Sequence, residues 1–254
     1  KYEPEQLPWP ELDGLALERL QAIPFWKQAL YTERKAGEMV SAFAKEVSDP
    51  LIQDAIALQG REESRHARLI QFLIDRYNIQ ISDLPPINIP QNIDTAFKNF
   101  GFEECLDSFF AFGLFDIARQ SNYFPEALFA IFDPILDEEA RHIVFFVNWF
   151  TYEQIHRGRG FNGLRSLSTL RHYKNALWGL VKTFGGSQED KQKGFTATSA
   201  STFMDDLTAK LFFSTCLEAN TRRMKVFEPQ LLRPQLIPML SKVAFNCLKF
   251  LPGR

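Results

Sequence analysis

The segments Glu62-Glu63-Ser64-Arg65-His66 and Glu138-Glu139-Ala140-Arg141-His142 decide how this chain is read. Both spell Glu-Glu-x-Arg-His, and they stand 76 residues apart. On a helix, a carboxylate and an imidazole at i and i+3 leave by the same face, so one metal ion can take both. A single Glu-x-x-His pair is common by chance. Two copies with matching flanks, on separate helical segments, are far more specific. A metal-free lattice of ion pairs would account for the charges, but not for a His that recurs three residues after the second Glu.

Working outward, apolar residues at Leu30, Ala36, Val40, Phe43, Ala44 and Val47 form a helical stripe that predicts a first long helix over 22–47. Ser48-Asp49-Pro50 closes it. Asp49 as N-cap and Pro50 in the first turn open a second helix that runs to about Tyr77. Three prolines make 81–94 a loop, because proline withholds the backbone donor a helix needs. A third helix follows Asp94 to about Gln120, Ser121–Pro125 breaks it, and a fourth runs from about Pro125 to about Arg157. Strand signals are weak throughout. Four long helices joined short, long, short predict an all-α fold, a four-helix bundle with one crossover. Further helices are expected at about 163–183, 202–226 and 235–250, with a polar linker at 185–201.

A bundle centre that holds two metals needs one further Glu from each remaining helix. Glu33 and Glu38 are the candidates on the first helix. Equal distance from the turn at Asp49 favours Glu33 slightly. Phase favours it more, since Glu33 shares a stripe with Gly37, Val40, Ala44 and Val47, whereas Glu38 falls among Arg34, Ser41 and Lys45. On the third helix, Glu104 shares a stripe with Ser108, Ala111, Phe115 and Ala118, and Glu103 with Phe110, Leu114 and Ile117. The smaller neighbours favour Glu104 and leave Glu103 as the alternative. The expected metal ligands are therefore Glu33, Glu63, His66, Glu104, Glu139 and His142. Two divalent ions would balance four carboxylates, which is how so many acids could share a core. Carboxylate and imidazole donors suit iron or manganese.

Composition narrows the classes. The chain has 254 residues, 45% of them hydrophobic, enough for a sizeable core. A net charge of −2 gives no overall pull toward nucleic acid. No stretch has the roughly 20 apolar residues of a spanning helix, and the lead KYEPEQLPWPELDG is acidic and Pro-rich rather than signal-like. Three widely spaced cysteines exclude a disulfide framework or CxxC motif and lead to the expectation of a reducing, cytoplasmic setting. Charge is uneven: residues 1–160 carry 15 basic and 25 acidic side chains, and residues 161–254 carry 14 and 6. That step, at a Gly-rich break, divides the chain into a helical bundle with its lead (1–160) and a basic helical extension (161–254). The extension is expected to cover and neutralise the acidic bundle. Its mixed basic and apolar end also allows docking on an acidic protein or a membrane surface. The 25 Phe residues predict a dry interior.

The doubled motif over about 25–157 resembles the ferritin-like di-iron carboxylate superfamily. The acid before each ligand Glu and the Arg before each His are most similar to the acyl-carrier-protein desaturases and bacterial multicomponent monooxygenases. That resemblance implies a ferritin-like four-helix bundle with additional C-terminal helices. It implies that Glu138 orients His66 and Glu62 orients His142, with Arg65 and Arg141 in the same network. It also gives Ser108, one turn after Glu104, the place of a hydroxyl residue found in many family oxygenases. The implied function is a di-iron (or manganese/iron) oxidoreductase that uses O2 to hydroxylate or desaturate an apolar small molecule. An electron-donor protein would serve it, and a homodimer is compatible with it. The alternative is a ferroxidase or iron-storage relative, although ferritin cages use shorter subunits. Missing cysteines exclude a complete rubrerythrin, and Ile70 replaces the Tyr expected of a ribonucleotide reductase radical subunit.

Overall fold

The computed structural model describes residues 3–158, 174, 203 and 207–248. Among them it is all-helical, with no strand. In chain order the helices are α1 (Gly14–Ala22), α2 (Trp26–Ala44), α3 (Pro50–Arg76), α4 (Ile93–Gln120), α5 (Glu126–His156), α6 (Ala209–Met224) and α7 (Leu236–Leu248), after a single 3-10 turn at Pro4–Gln6. The chain falls into two compact units. The first holds residues 1–100 and 124–132, the second 101–123 and 133–254, so the division passes through α4 and α5.

In the first unit the expected first helix begins later than the stripe predicts, and a separate α1 precedes it. Asp13 caps α1 by accepting from the Ala16 amide at 2.7 Å. Ile23 before Pro24 is extended and ends it, as the residue before proline disfavours helical backbone. Trp26 donates its indole N–H back to Leu20 O at 2.8 Å and fixes the corner. Asp49 caps α3 as expected, accepting from the Leu51 and Ile52 amides. The Pro-rich lead docks through Trp9, whose ring meets Phe72, Tyr77 and Phe132.

Helices α2 and α3 pack against each other along their length. Two glycines set how closely. A Cβ built on Gly37 would strike the Ser64 hydroxyl, and one on Gly60 would lie 2.9 Å from the Ser41 backbone nitrogen. This reciprocal Gly–Ser crossing brings the two backbones together just below the turn that carries Glu63. Leu30, Val40, Ile56, Leu69, Leu73 and Phe97 are fully buried in this unit.

The ends of α3 and α4 use one device. Asn78 and Asn122 both take φ of 51°, the left-handed region that asparagine tolerates better than most residues. Each is followed by an amide that closes back on the last turn: Ile79 N on Ile74 O at 2.9 Å, and Tyr123 N on Ala118 O at 3.0 Å. The residues between α3 and α4 over 81–92 carry no regular structure, as their prolines require.

In the second unit α6 packs on α4, with Cys216 against Gly113. Burial, and then the Asp116 charge, push the Cys216 thiol up to about 12, so it is an inert packing group. Asn148 of α5 exchanges two hydrogen bonds with the backbone of Leu232, donating to its carbonyl and accepting from its amide. Arg233 donates to Met224 O, Leu231 O and Phe227 O, which closes the α6–α7 loop. Among the described residues, the helices expected over 202–226 and 235–250 are represented by α6 and α7. The helix expected at 163–183 and the linker at 185–201 lie outside the described residues but for residue 174. No described helix is long and apolar enough to cross a membrane.

Candidate metal centre

Three of the residues singled out by the motif reading come together in the first unit. Glu33 stands on α2, and Glu63 and His66 stand one turn apart on α3. Each offers a ligand atom within 4.8 Å of the others. His66 is 1% exposed, and its Nδ1 lies 3.5 Å from Glu33 Oε2 and 3.7 Å from Glu63 Oε2. Glu63 is buried and Glu33 is mostly so. The competing Glu38 is exposed, on the other side of α2.

The second copy of the motif repeats the His–Glu part of the arrangement in the second unit. His142 is buried, and its Nδ1 lies 3.4 Å from Glu139 Oε2 three residues earlier. Both histidines thus present Nδ1 to the glutamate of their own motif. On α4, Glu104 is half-buried and Glu103 exposed.

These separations bear on what the groups can hold. At 3.4–3.7 Å the His–Glu atoms are beyond ordinary hydrogen-bond distance. Two donors that share one ion at about 2.1 Å each stand about 3.0–3.5 Å apart at tetrahedral to octahedral angles. Carboxylates and an imidazole, mostly or fully buried, therefore have the chemistry and spacing of a cation site. The set could hold a metal ion.

Of the flanking residues, Glu62 is buried, Arg65 and Glu138 are half-buried, and Arg141 is exposed. Ser108 is 3% exposed, and its Oγ has no hydrogen-bond partner among the described residues. A dry hydroxyl without a partner is rare in a protein interior, because it forfeits its hydrogen bonds to water. Phe109, Phe110, Phe112 and Phe146 are buried in the same unit.

One contributor escaped the motif reading. Gln59, one turn before Glu63, is buried and donates its amide N–H to Glu63 Oε1 at 3.1 Å. Its i, i+4 spacing to Glu63 was readable in the sequence, but attention to Glu, His and Arg alone passes over it.

Neither a family model, nor a curated protein, nor a solved structure matches the chain.

Proposed function

We propose that this chain is a di-iron oxidoreductase that activates O2 to hydroxylate or desaturate an apolar small molecule. The observation that supports it most is the mostly buried Glu33–Glu63–His66 cluster, with a second His–Glu pair three residues apart at Glu139–His142. In this reading α2–α5 form a ferritin-like four-helix bundle. Glu33, Glu63 and His66 hold one ion, and Glu104, Glu139 and His142 hold the other. Four carboxylates neutralise two divalent ions, which offsets the cost of so many buried acids.

An iron pair held by these residues would supply two electrons for the reduction of O2 and the oxidising power for attack on a C–H bond. Hydroxylation consumes substrate, O2, two electrons and two protons in all, and yields alcohol and water; the two electrons are those the ferrous pair would give up, so an outside electron donor is required to restore them. The protein's own groups do the rest. Glu138 and Glu62 fix the imidazole orientation of His66 and His142, and Arg65 and Arg141 hold those acids. Ser108 Oγ, short of partners, accepts and passes a proton. Phe109, Phe112 and Phe146 keep water from the site and give an apolar substrate its surface.

The test is an anaerobic ferrous titration of the purified chain, followed by O2. Two ions per chain, and O2 uptake that needs an electron donor and rises with an apolar substrate, support the proposal. Uptake of many irons per chain with ferric accumulation, in a large closed assembly, would instead mark a storage protein. No bound iron ends the reading.

A further inference from the structure

Helix α7 is built the wrong way round for a helix that faces water. It buries Ile237 and Ser241, whereas Met239, Leu240 and Val243 are exposed. At about 100° per residue, the exposed three fall within an arc of about 100°, together with Cys247, whose thiol is free and also exposed. Lys242 runs along one edge of that arc and is the single charged residue of α7. Apolar exposure begins before the helix. Val226, Leu231 and Leu232 stand out from the α6–α7 loop, Val226 at 79% exposure. The loop backbone is held by Arg233, which donates to the carbonyls of Met224, Phe227, Glu228 and Leu231, and by the two bonds between Asn148 and Leu232. Its apolar side chains are thus displayed by a fixed backbone. Apolar surface held in water is unfavourable, and a run of it marks a docking face.

Charge and residue type select the occupant. Glu228 is the last acid in the sequence, and Arg233, Lys242, Lys249 and Arg254 follow it. Lys225 and Lys242 are exposed. Protein interfaces draw most of their energy from Trp, Tyr and Arg. Residues 209–248 hold no Trp or Tyr, and Arg233 uses its donors on the loop. Aliphatic side chains edged by lysine suit a bilayer surface instead, because the lysine stem lies along apolar chains while its ammonium reaches phosphate. At 13 residues α7 is too short to span a bilayer and would lie along it. We propose that α7 and the loop before it are a docking face for an anionic membrane surface. Met239, Leu240 and Val243 enter the headgroup boundary, and Lys225 and Lys242 meet lipid phosphates. This requires nothing of the metal centre.

Cys247 supplies the probe. Cys105 and Cys216 are buried, so an environment-sensitive thiol dye marks Cys247. Vesicles of mixed phosphatidylglycerol and phosphatidylcholine should shift the dye to the blue and brighten it. Pure phosphatidylcholine should do little, and added salt should reverse the effect. Unlabelled chain should sediment with the anionic vesicles. Lys242→Gln should weaken that binding about fivefold, the worth of one lysine at such a surface. Met239→Ser with Val243→Ser should weaken it by more than about tenfold, with little change in melting temperature because both side chains are exposed. Leu51→Ser, at an exposed leucine of α3, should bind like wild type. Wild-type chain that ignores both kinds of vesicle, or binds both equally, would overturn the proposal. So would full binding by the Met239 and Val243 variant. A dye shift without lipid that grows with protein concentration would overturn it in favour of a second copy. A dye that responds to poly-glutamate and not to vesicles would overturn it in favour of an acidic protein. None of these outcomes depends on iron, so the docking face and the metal centre stand or fall separately.

Discussion

At the scale of single residues, the cluster around His66 is a poor way to stabilise a fold and a good way to hold a cation. Glu63 is almost fully buried and Glu33 mostly so, and two negative charges near one imidazole are costly away from water. Glu63→Gln removes one charge while keeping shape and an oxygen that can still accept from Gln59. It is expected to raise the stability of the metal-free protein by about 1–2 kcal/mol, read by urea unfolding in chelator. The same change should erase most of the melting-point increase that ferrous or cobalt ions give the wild type. Stabilisation by a ligand follows its affinity for the folded state, and Glu63 is one of the proposed donors. A variant that is destabilised in chelator, or stabilised by metal as much as wild type, would place Glu63 in an ordinary ion-pair core.

At the scale of elements, the α2–α3 hairpin depends on the crossing of Gly37 with Ser64 and Gly60 with Ser41. Alanine at 60 gains up to about 1 kcal/mol of helix propensity. Its Cβ, however, meets the Ser41 backbone, which cannot rotate away, and overpacking of this kind costs about 1–3 kcal/mol. The expected net loss is about 1–2 kcal/mol in urea unfolding. Metal affinity should weaken as well, because the added methyl displaces the turn that carries Glu63. Gly14→Ala is the control: nothing lies within 4 Å of its Cβ position, so it should be neutral or slightly stabilising. Equal effects from the two changes would mean that the close crossing is not needed. This crossing also shows where sequence reading stops. Helix phase separated inward Glu33 from exposed Glu38, because a period of 3.6 is a local property of the chain. Asp49, as an N-cap before Pro50, gave the start of α3 to the residue. The start of α2 was misread because the residues on both sides of Pro24, Ala22, Ile23, Phe25 and Trp26, are all apolar and mark no boundary. The separate α1 was hidden in a lead that looked Pro-rich rather than helical. The pairing of glycines with serines across two helices has no local signature, and neither does the choice of Gln59 as partner to one oxygen of Glu63. Both arise only when packing brings distant turns together.

At the scale of the whole molecule, the uneven charge along the sequence has a partial physical counterpart. Arg222 and Arg223 of α6 meet Asp116 of α4 and Asp133 and Asp137 of α5 within the second unit. Arg222 and Arg223 thus neutralise acids on the long helices at these positions. The two arginines do not contribute alike, and the order is opposite to what their exposure indicates. Arg223 is buried and lies 5.2 Å from the Phe112 ring centroid, yet its carboxylates do not depend on it. Asp137 is largely exposed, and Asp133 keeps Arg119 at 2.7 Å. Its own Nε, moreover, has no partner among the described residues. Arg222 is the more exposed, but Asp116 is only 11% exposed and receives 2.8 Å hydrogen bonds from Arg222 on both oxygens. Loss of Arg222 strands a buried charge, whereas loss of Arg223 leaves carboxylates that water or Arg119 can serve. Arg222→Met is therefore expected to cost about 2–3 kcal/mol, below the full penalty for a buried pair because Arg222 itself is half in water. Arg223→Met should cost about 1 kcal/mol, since methionine keeps contact with Phe112 and removes an unmet donor. Adding Asp116→Asn to Arg222→Met should recover about half the loss, because the stranded charge is gone. Urea unfolding of the four proteins decides it, and a larger loss from Arg223→Met, or no recovery in the double variant, would show that packing rather than the stranded carboxylate governs how α6 is held.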